Sequence, residues 1–279
     1  MKKLLSVFLM ASLVLMITGC SKEIGNNDGQ GRLIINVTDV PFPYDMVESA
    51  TVTITKVEIR RVGDGVPDGY PFMVVSEDTV VFNLLELRNG VVEELVDLEV
   101  PAGRYDLVRL YVDNAGLKVR DGGDFNVKVP SGKQTGIKLF IKPWLEVEGG
   151  LTSELLLDFD LSKSFVVQGN PFTPAGIKGF IFKPVIRAVN NTEAGRITGH
   201  VIDTSKAVVK EASVWVEQDT VVVTGVTDTT GYYAFIGLPE GIYSVFATKK
   251  DFDTVGVEDV KVVRGNRTVV NFTLTEQEK

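Results

Sequence analysis

From Arg32 onward the apolar residues recur at every second position, and no long stretch repeats at helical spacing. Leu33, Ile35 and Val37 alternate with Ile34, Asn36 and Thr38, and Thr51–Thr55 alternates strictly. Period two marks a strand with one buried face. Turn-forming residues separate such runs, as in Gly63–Gly69. The pattern predicts an all-β chain of short strands packed as sandwiches. Further strands are expected at Phe72–Val75, Thr79–Leu84, Val91–Leu98, Arg104–Val112, Leu117–Arg120, Phe125–Val129, Lys133–Ile141, Glu154–Asp160 and Gly179–Val189, with one helical turn at Leu84–Arg88. After Lys56 the apolar positions change from even to odd numbers, which predicts a β-bulge near Thr55–Lys56.

Asn190–Ala194 is a polar joint, and seven further strands are expected between Gly195 and Thr275. They are Arg196–Asp203, Ala212–Glu217, Val221–Thr227, Tyr232–Leu238, Ile242–Lys249, Val257–Val263 and Thr268–Leu274. The expectation is two β-sandwich domains in tandem, 32–189 and 195–275. Val100-Pro101-Ala102-Gly103-Arg104-Tyr105 and Leu238-Pro239-Glu240-Gly241-Ile242-Tyr243 share one pattern. Pro and Gly set a turn, and Tyr opens the next strand with its hydroxyl able to reach back to the turn backbone. Related corners and convergent turn chemistry both account for the echo.

At the N-terminus, Lys2 and Lys3 precede an apolar run, Leu4–Ile17, that ends at Ile17-Thr18-Gly19-Cys20. A positive start, a short apolar segment and small residues at a cut make a secretory leader. The run is too short to cross a bilayer, which takes about 20 residues. Residues 20–31 read as a polar, glycine-rich tether. Cys20 is the chain's one cysteine, so the folds hold without internal disulfides. Ile17-Thr18-Gly19-Cys20 resembles a bacterial lipobox. That resemblance implies loss of residues 1–19, a lipid on the Cys20 sulfur, an acylated amino group, and a place in the bacterial cell envelope at the outer membrane, on its periplasmic or surface face. An ordinary cleaved leader and a core cysteine are the other readings.

The net charge is −8, and loss of Lys2 and Lys3 makes it two units more negative. Such a chain does not suit nucleic acid, where affinity rests on neutralising phosphates. With one histidine, His200, neither a His-rich zinc site nor a Cys-based one can be built. His200 lies in a strand with Ile197 and Val201 and reads as a surface residue. No EF-hand spacing and no phosphate-binding glycine loop occur. Catalytic residues, metal and cofactor are all expected to be absent.

Three constellations remain. Asp158 and Asp160 share a strand face about 6–7 Å apart, within the range of glycosidase pairs, but both stand on one side of any bond. They read as caps for a turn at Leu161–Ser164, as a calcium or ligand contact, or as a catalytic pair. Trp144, Trp215, Tyr232 and Tyr233 are candidates for a sugar-stacking platform; Trp215 faces opposite to Val214 and Val216, so it is exposed if those valines are core and packed if they are not. Asp followed by Thr and then Val or Thr recurs, placing Thr79, Thr220, Thr229 and Thr254 in a pattern similar to the O-glycosylation sites of certain lipoprotein-rich bacteria. Thr-rich strands behind Asp turns produce the same pattern.

The second unit resembles the carboxypeptidase regulatory-like domain through Gly195–Val201, Ala212–Val214, Thr227–Phe235 and Leu238–Tyr243. The resemblance implies a seven-stranded, transthyretin-like sandwich of the carbohydrate-binding-like group, acting as a spacer or docking module. The peptidase zinc residues are missing. The first unit resembles a bacterial lipoprotein family, domain-of-unknown-function family 4382, through Thr38–Pro41, Asn83–Leu87, Pro101–Tyr105, Val108–Leu110, Val129–Gly132, Leu157–Ser164 and Lys183–Arg187. This implies an architecture and a location. The expected function is a lipid-anchored, non-enzymatic envelope protein binding polysaccharide or a surface protein. A fimbria-like assembly subunit and a carbohydrate-active enzyme are the alternatives.

Overall fold

The computed structural model describes residues 29–40, 46–63, 69–170 and 172–277, so Cys20 and its leader lie outside the described residues. The first domain contains β1 (Gln30–Val40), β2 (Val47–Val62), β3 (Met73–Ser76), β4 (Val80–Asn83), β5 (Glu93–Pro101), β6 (Gly103–Val119), β7 (Asp124–Lys128), α1 (Pro130–Gln134), β8 (Ile137–Val147), β9 (Thr152–Asp160), α2 (Leu161–Ser164), β10 (Phe165–Gly169), β11 (Ile177–Phe182) and β12 (Ile186–Asn190). The second contains β13 (Gly195–Asp203), β14 (Ser213–Gln218), β15 (Thr220–Val226), β16 (Tyr232–Leu238), β17 (Gly241–Thr248), β18 (Val255–Val262), β19 (Arg267–Val269) and β20 (Phe272–Leu274).

Ten strands of the first domain form one sheet in the order β3-β2-β6-β8-β12-β9-β1-β5, with β4 on β2 and β7 on β6. The sheet coils until β3 and β5 touch. Its two halves therefore face each other as layers around one core, with Ile35 and Val37 of β1 and Leu157 and Phe159 of β9 meeting Val52, Ile54, Val108 and Leu110 of β2 and β6. The β10–β11 hairpin is a separate two-stranded ribbon whose Phe165, Phe180 and Phe182 enter the same core. The β2–β6 register shifts between Ile54 and Lys56, where the apolar pattern changes phase.

Three expected boundaries differ. Arg104–Val112 and Leu117–Arg120 are one strand, because Asn114–Gly116 keeps its partners on β2, with a register shift at Asp113, and also pairs with β7. Lys133 closes α1 rather than opening a strand. Gly179–Val189 divides at Lys183–Val185, leaving β11 in the hairpin and β12 in the main sheet.

The second domain packs β16-β13-β19 and β20 against β15-β14-β17-β18 over Ile197, Val201, Val214, Val216, Tyr233, Val245 and Phe272. The expected last strand is broken between β19 and β20, at Val270 and Asn271, where the Val270 carbonyl sits so close to Gly199 that a Cβ there would overlap it.

β9 is buried on both sides. Leu155, Leu157 and Phe159 face the first core. Leu156 faces the other way and packs with Val189, Ala194 and Ile236 at the joint between the domains. Gly237 of β16 has φ +67°, and a Cβ there would stand 2.8 Å from Leu156 Cδ2. The domains approach closely at this point because glycine has no side chain.

Both Pro-x-Gly-x-Tyr corners make the same hydroxyl–carbonyl bond, although Gly103 takes a positive φ and Gly241 does not. Tyr105 donates its hydroxyl to the Pro101 carbonyl at 2.7 Å, and Tyr243 donates to the Pro239 carbonyl at 2.8 Å. Both rings are buried. Tyr105→Phe and Tyr243→Phe are each expected to cost about 1 kcal/mol, lowering Tm by about 3 °C in thermal unfolding. No change in either variant would show that the corners do not bear on stability.

Candidate functional site

The carboxylates of the Leu157–Asp160 segment are already engaged. Phe159 points into the first core, so Asp158 points away from it. Instead of meeting solvent, Asp158 is covered by the second domain and is 6% exposed. Its Oδ2 accepts from Arg187 Nη2 at 2.5 Å and Nε at 3.2 Å, across the β9–β12 pairing. Burial raises the Asp158 pKa, and the Arg187 charge opposes that rise. Arg187 also acts on the domain joint, lowering the Tyr243 hydroxyl that burial raises. Asp160 caps α2: it accepts from Lys163 N at 3.1 Å, Ser162 Oγ at 2.6 Å and Lys163 Nζ at 2.6 Å. A carboxylate bound to Arg187 and one closing a helical turn are not the free pair a glycosidase uses.

Asp39, which reads as a turn residue in sequence, is buried beside this pair. Neither of its carboxylate oxygens has a hydrogen-bond partner among the described residues. Burial raises its pKa well above the ordinary value and Asp158 adds to the rise; the Leu161 amide, near the carboxylate but outside hydrogen-bond geometry, and Arg88 oppose it. Thr38 beside it donates to the Leu87 and Val91 carbonyls. A cavity of about 20 Å³ lies here, lined by Thr38, Asp39, Asn89 and Asp158 of the first domain and Thr224 and Ile236 of the second. It has room for one water molecule. Among the described residues, no group of three or more His, Cys, Asp and Glu could hold a metal ion.

The proposed aromatic platform is not assembled. Tyr233 is fully buried and donates its hydroxyl to the Val270 carbonyl, so its ring is not open to a ligand. It belongs to the core because it alternates with outward-facing Tyr232. Tyr232 lies against His200 on the outer face of the β16–β13 sheet, at 5.3 Å between ring centroids. Trp144 is in the first domain, with Arg104 at 5.1 Å from its ring centroid.

Trp215 stands apart from these. Val214 and Val216 are core, so Trp215 projects from the outer face of the β15-β14-β17-β18 sheet. It is directly opposite Phe246 of β17, with ring centroids 5.3 Å apart and planes 17° apart. Phe246 in turn lies over Gly256 of β18, where a Cβ would stand 2.5 Å from Phe246 Cδ1. Trp215 Nε1 donates to Glu217 Oε1 at 2.8 Å, and Thr224 is the neighbour across β15. Sequence alone does not single out Phe246. Its alternation with Val245 and Ala247 places it on an outer face, but only the β14–β17 register places it against Trp215.

Thr79, Thr220, Thr229 and Thr254 are all exposed. The aspartate before Thr229 is occupied locally, as Asp228 accepts from the Thr230 and Tyr232 amides and the Thr230 hydroxyl.

Asp39 makes a pH prediction. Its raised pKa means that the folded chain holds the proton more tightly than the unfolded one. The stability it contributes is complete below the unfolded carboxylate value and is lost as pH rises toward the folded value. Asp158 shifts in the same direction, so the difference from an Asp39→Asn variant isolates Asp39. Urea midpoints measured from pH 4 to 8 should fall less steeply for Asp39→Asn than for the wild type, whereas parallel profiles would show that Asp39 is not held protonated.

A family model described as Domain of unknown function (DUF4382) matches residues 30–184, and one described as Carboxypeptidase regulatory-like domain matches residues 196–275. No curated protein matches. Among solved structures, the minor pilin GBS52 of Streptococcus agalactiae overlaps with a TM-score of 0.25 at 9% identity, covering 89% of this chain and 97% of that one. The shaft pilin SpaA of Lactobacillus rhamnosus GG gives 0.26 at 10% identity, covering 90% and 99%. A type II cohesin–X-dockerin complex of Acetivibrio cellulolyticus gives 0.24 at 19% identity, covering 29% of this chain and 56% of that one. Overlaps this loose carry no inference. The match to more than half of its residues places the chain in the family described as Domain of unknown function (DUF4382), with a carboxypeptidase regulatory-like domain following it.

Proposed function

We propose that this chain is a non-enzymatic binding protein of the bacterial cell envelope, held by a lipid on Cys20, that takes up carbohydrate on the outer face of its second domain. The observation that carries the reading is the Trp215–Phe246 pair. Two near-parallel rings lie along an open sheet face instead of filling a core. The apolar C–H face of a sugar ring packs on such a surface. Glu217, Thr224, Ser213 and Thr248 border it with groups that can exchange hydrogen bonds with sugar hydroxyls. The engagement of Asp158 and Asp160 in structural contacts supports binding without catalysis.

In this reading Asp158 and Asp160 serve the fold, and Tyr232 lies on the opposite sheet from the binding face. A lipid-free chain covering residues 21–279 should bind at least one envelope polysaccharide saturably. Trp215→Ala should reduce that binding at least tenfold, while Tyr232→Ala leaves it unchanged. Binding that survives Trp215→Ala, or no saturable binding across a polysaccharide panel, contradicts the assignment.

The exposure of Thr79, Thr220, Thr229 and Thr254 supports their modification by O-linked glycan. Intact-mass measurement of envelope-purified protein is expected to exceed the mass of polypeptide plus lipid, and to fall when the four threonines are replaced by alanine. A mass equal to polypeptide plus lipid removes the modification.

A further inference from the structure

The β10–β11 hairpin is not hydrogen-bonded to the main sheet. One face of it is used: Phe165, Phe180 and Phe182 pack into the first core. The other face is uncovered. Val166 and Ile181 sit directly opposite each other there, 46% and 42% exposed. Phe172 stands in the connection between the strands and is 80% exposed, more than any other large apolar side chain among the described residues.

The charge of this segment opposes that of the chain. Between Leu161 and Thr192 there are four basic residues and no acidic one, in a chain of net charge −8. Two of the four are paired, the exposed Lys163 with Asp160 and the half-buried Arg187 with Asp158. Lys183 is exposed two residues after Ile181, next to core-facing Phe182, and Lys178 is exposed beside core-facing Ile177, at the register shift of the hairpin, so both point away from the core. Among the described residues neither makes an ion pair. The segment thus joins an apolar edge and tip to two free cations.

We propose that this hairpin enters the headgroup region of an anionic lipid bilayer, Phe172 first, with Lys178 and Lys183 at the level of the phosphates. Apolar side chains that insert beside flanking cations are the chemistry of an interfacial membrane contact. A folded protein partner fits the shape less well. The exposed apolar surface consists of the three side chains Val166, Ile181 and Phe172, whereas a stable protein interface buries about 800 Å² per partner. The local charge also explains how a strongly acidic chain can meet an anionic surface.

The hairpin and the tether leave the sheet at opposite ends. Arg32 of β1 pairs with Thr152 at one end of β9, and Val40 pairs with Asp160 at the other, from which α2 leads into β10. β1 spans about 36 Å at about 3.3 Å per residue, and the chain from Cys20 to Gly29 reaches about 30 Å when extended. A lipid at one end and the hairpin at the other would lay β1 and β9 along the membrane. The hairpin contact itself does not depend on the lipid, nor on carbohydrate binding.

The test is sedimentation of the lipid-free chain, residues 21–279, with phosphatidylcholine vesicles containing or lacking 40% phosphatidylglycerol, a composition chosen as roughly that of a strongly anionic membrane. Partition should favour the anionic vesicles and weaken with salt. Phe172→Asp should reduce it at least tenfold, and Lys178→Glu with Lys183→Glu about 30-fold, at about fivefold per lysine. All three side chains are exposed, and matching circular dichroism and Tm would show that the variants are folded. A Phe172→Trp variant should gain fluorescence that brominated lipid quenches. No partition into anionic vesicles, or partition indifferent to Phe172→Asp, overturns the proposal. Self-association lost in Phe172→Asp without vesicle binding also overturns it, in favour of a contact between copies.

Discussion

Everything in this molecule is arranged around a strand whose central residues have no solvent face. β9 hydrogen-bonds to β1 on one side and β12 on the other. It sends Leu155, Leu157 and Phe159 into the first core and Leu156 into the contact with the second domain. A strand buried on both faces cannot alternate apolar with polar residues, and Leu155-Leu156-Leu157 does not. The second domain is thus part of the environment that the first domain's sequence is written for. An isolated first domain would expose Leu156, Asp158 and Val189 together.

The same burial sets the electrostatics of the joint. Asp158 is tolerable beneath the second domain because Arg187 meets it from the neighbouring strand. Removing one partner of such a pair leaves an uncompensated buried charge, which costs more than the pair contributes. Asp39 has no such partner among the described residues and lies next to Asp158, so burial and repulsion both favour its protonated form. The two carboxylic acids whose pKa is raised, by burial above all, therefore lie at the internal joint, while the surface proposed to take a ligand, Trp215 and Phe246, lies on the far side of the second domain's core from Tyr232 and His200.

Much of the fold was legible in sequence because its signals are local. Alternation gave nearly every strand, the phase slip after Lys56 coincided with a register shift, and the Pro-x-Gly-x-Tyr echo corresponds to two equivalent hydroxyl–carbonyl bonds. What stayed hidden depends on pairing between distant segments. Phe246 joins Trp215 only through the β14–β17 register. Asp39 is buried because the second domain and the Asn89–Gly90 turn close over the end of β1, and nothing local distinguishes it from a turn aspartate. Tyr232 and Tyr233 are adjacent and chemically alike, and only the direction of the strand decides which one is core.

In the function proposed for this chain, ligand lands on the Trp215 face while β9 remains a structural joint. Hydrogen exchange read by mass spectrometry, with and without a saturating envelope polysaccharide, tests both halves together. The account predicts that β9 amides are among the slowest to exchange in the free chain, and that the polysaccharide adds protection in Ser213–Gln218 and Gly241–Thr248 without changing Leu157–Asp160. Added protection centred on Leu157–Asp160, or rapid exchange of β9 in the free chain, would contradict it.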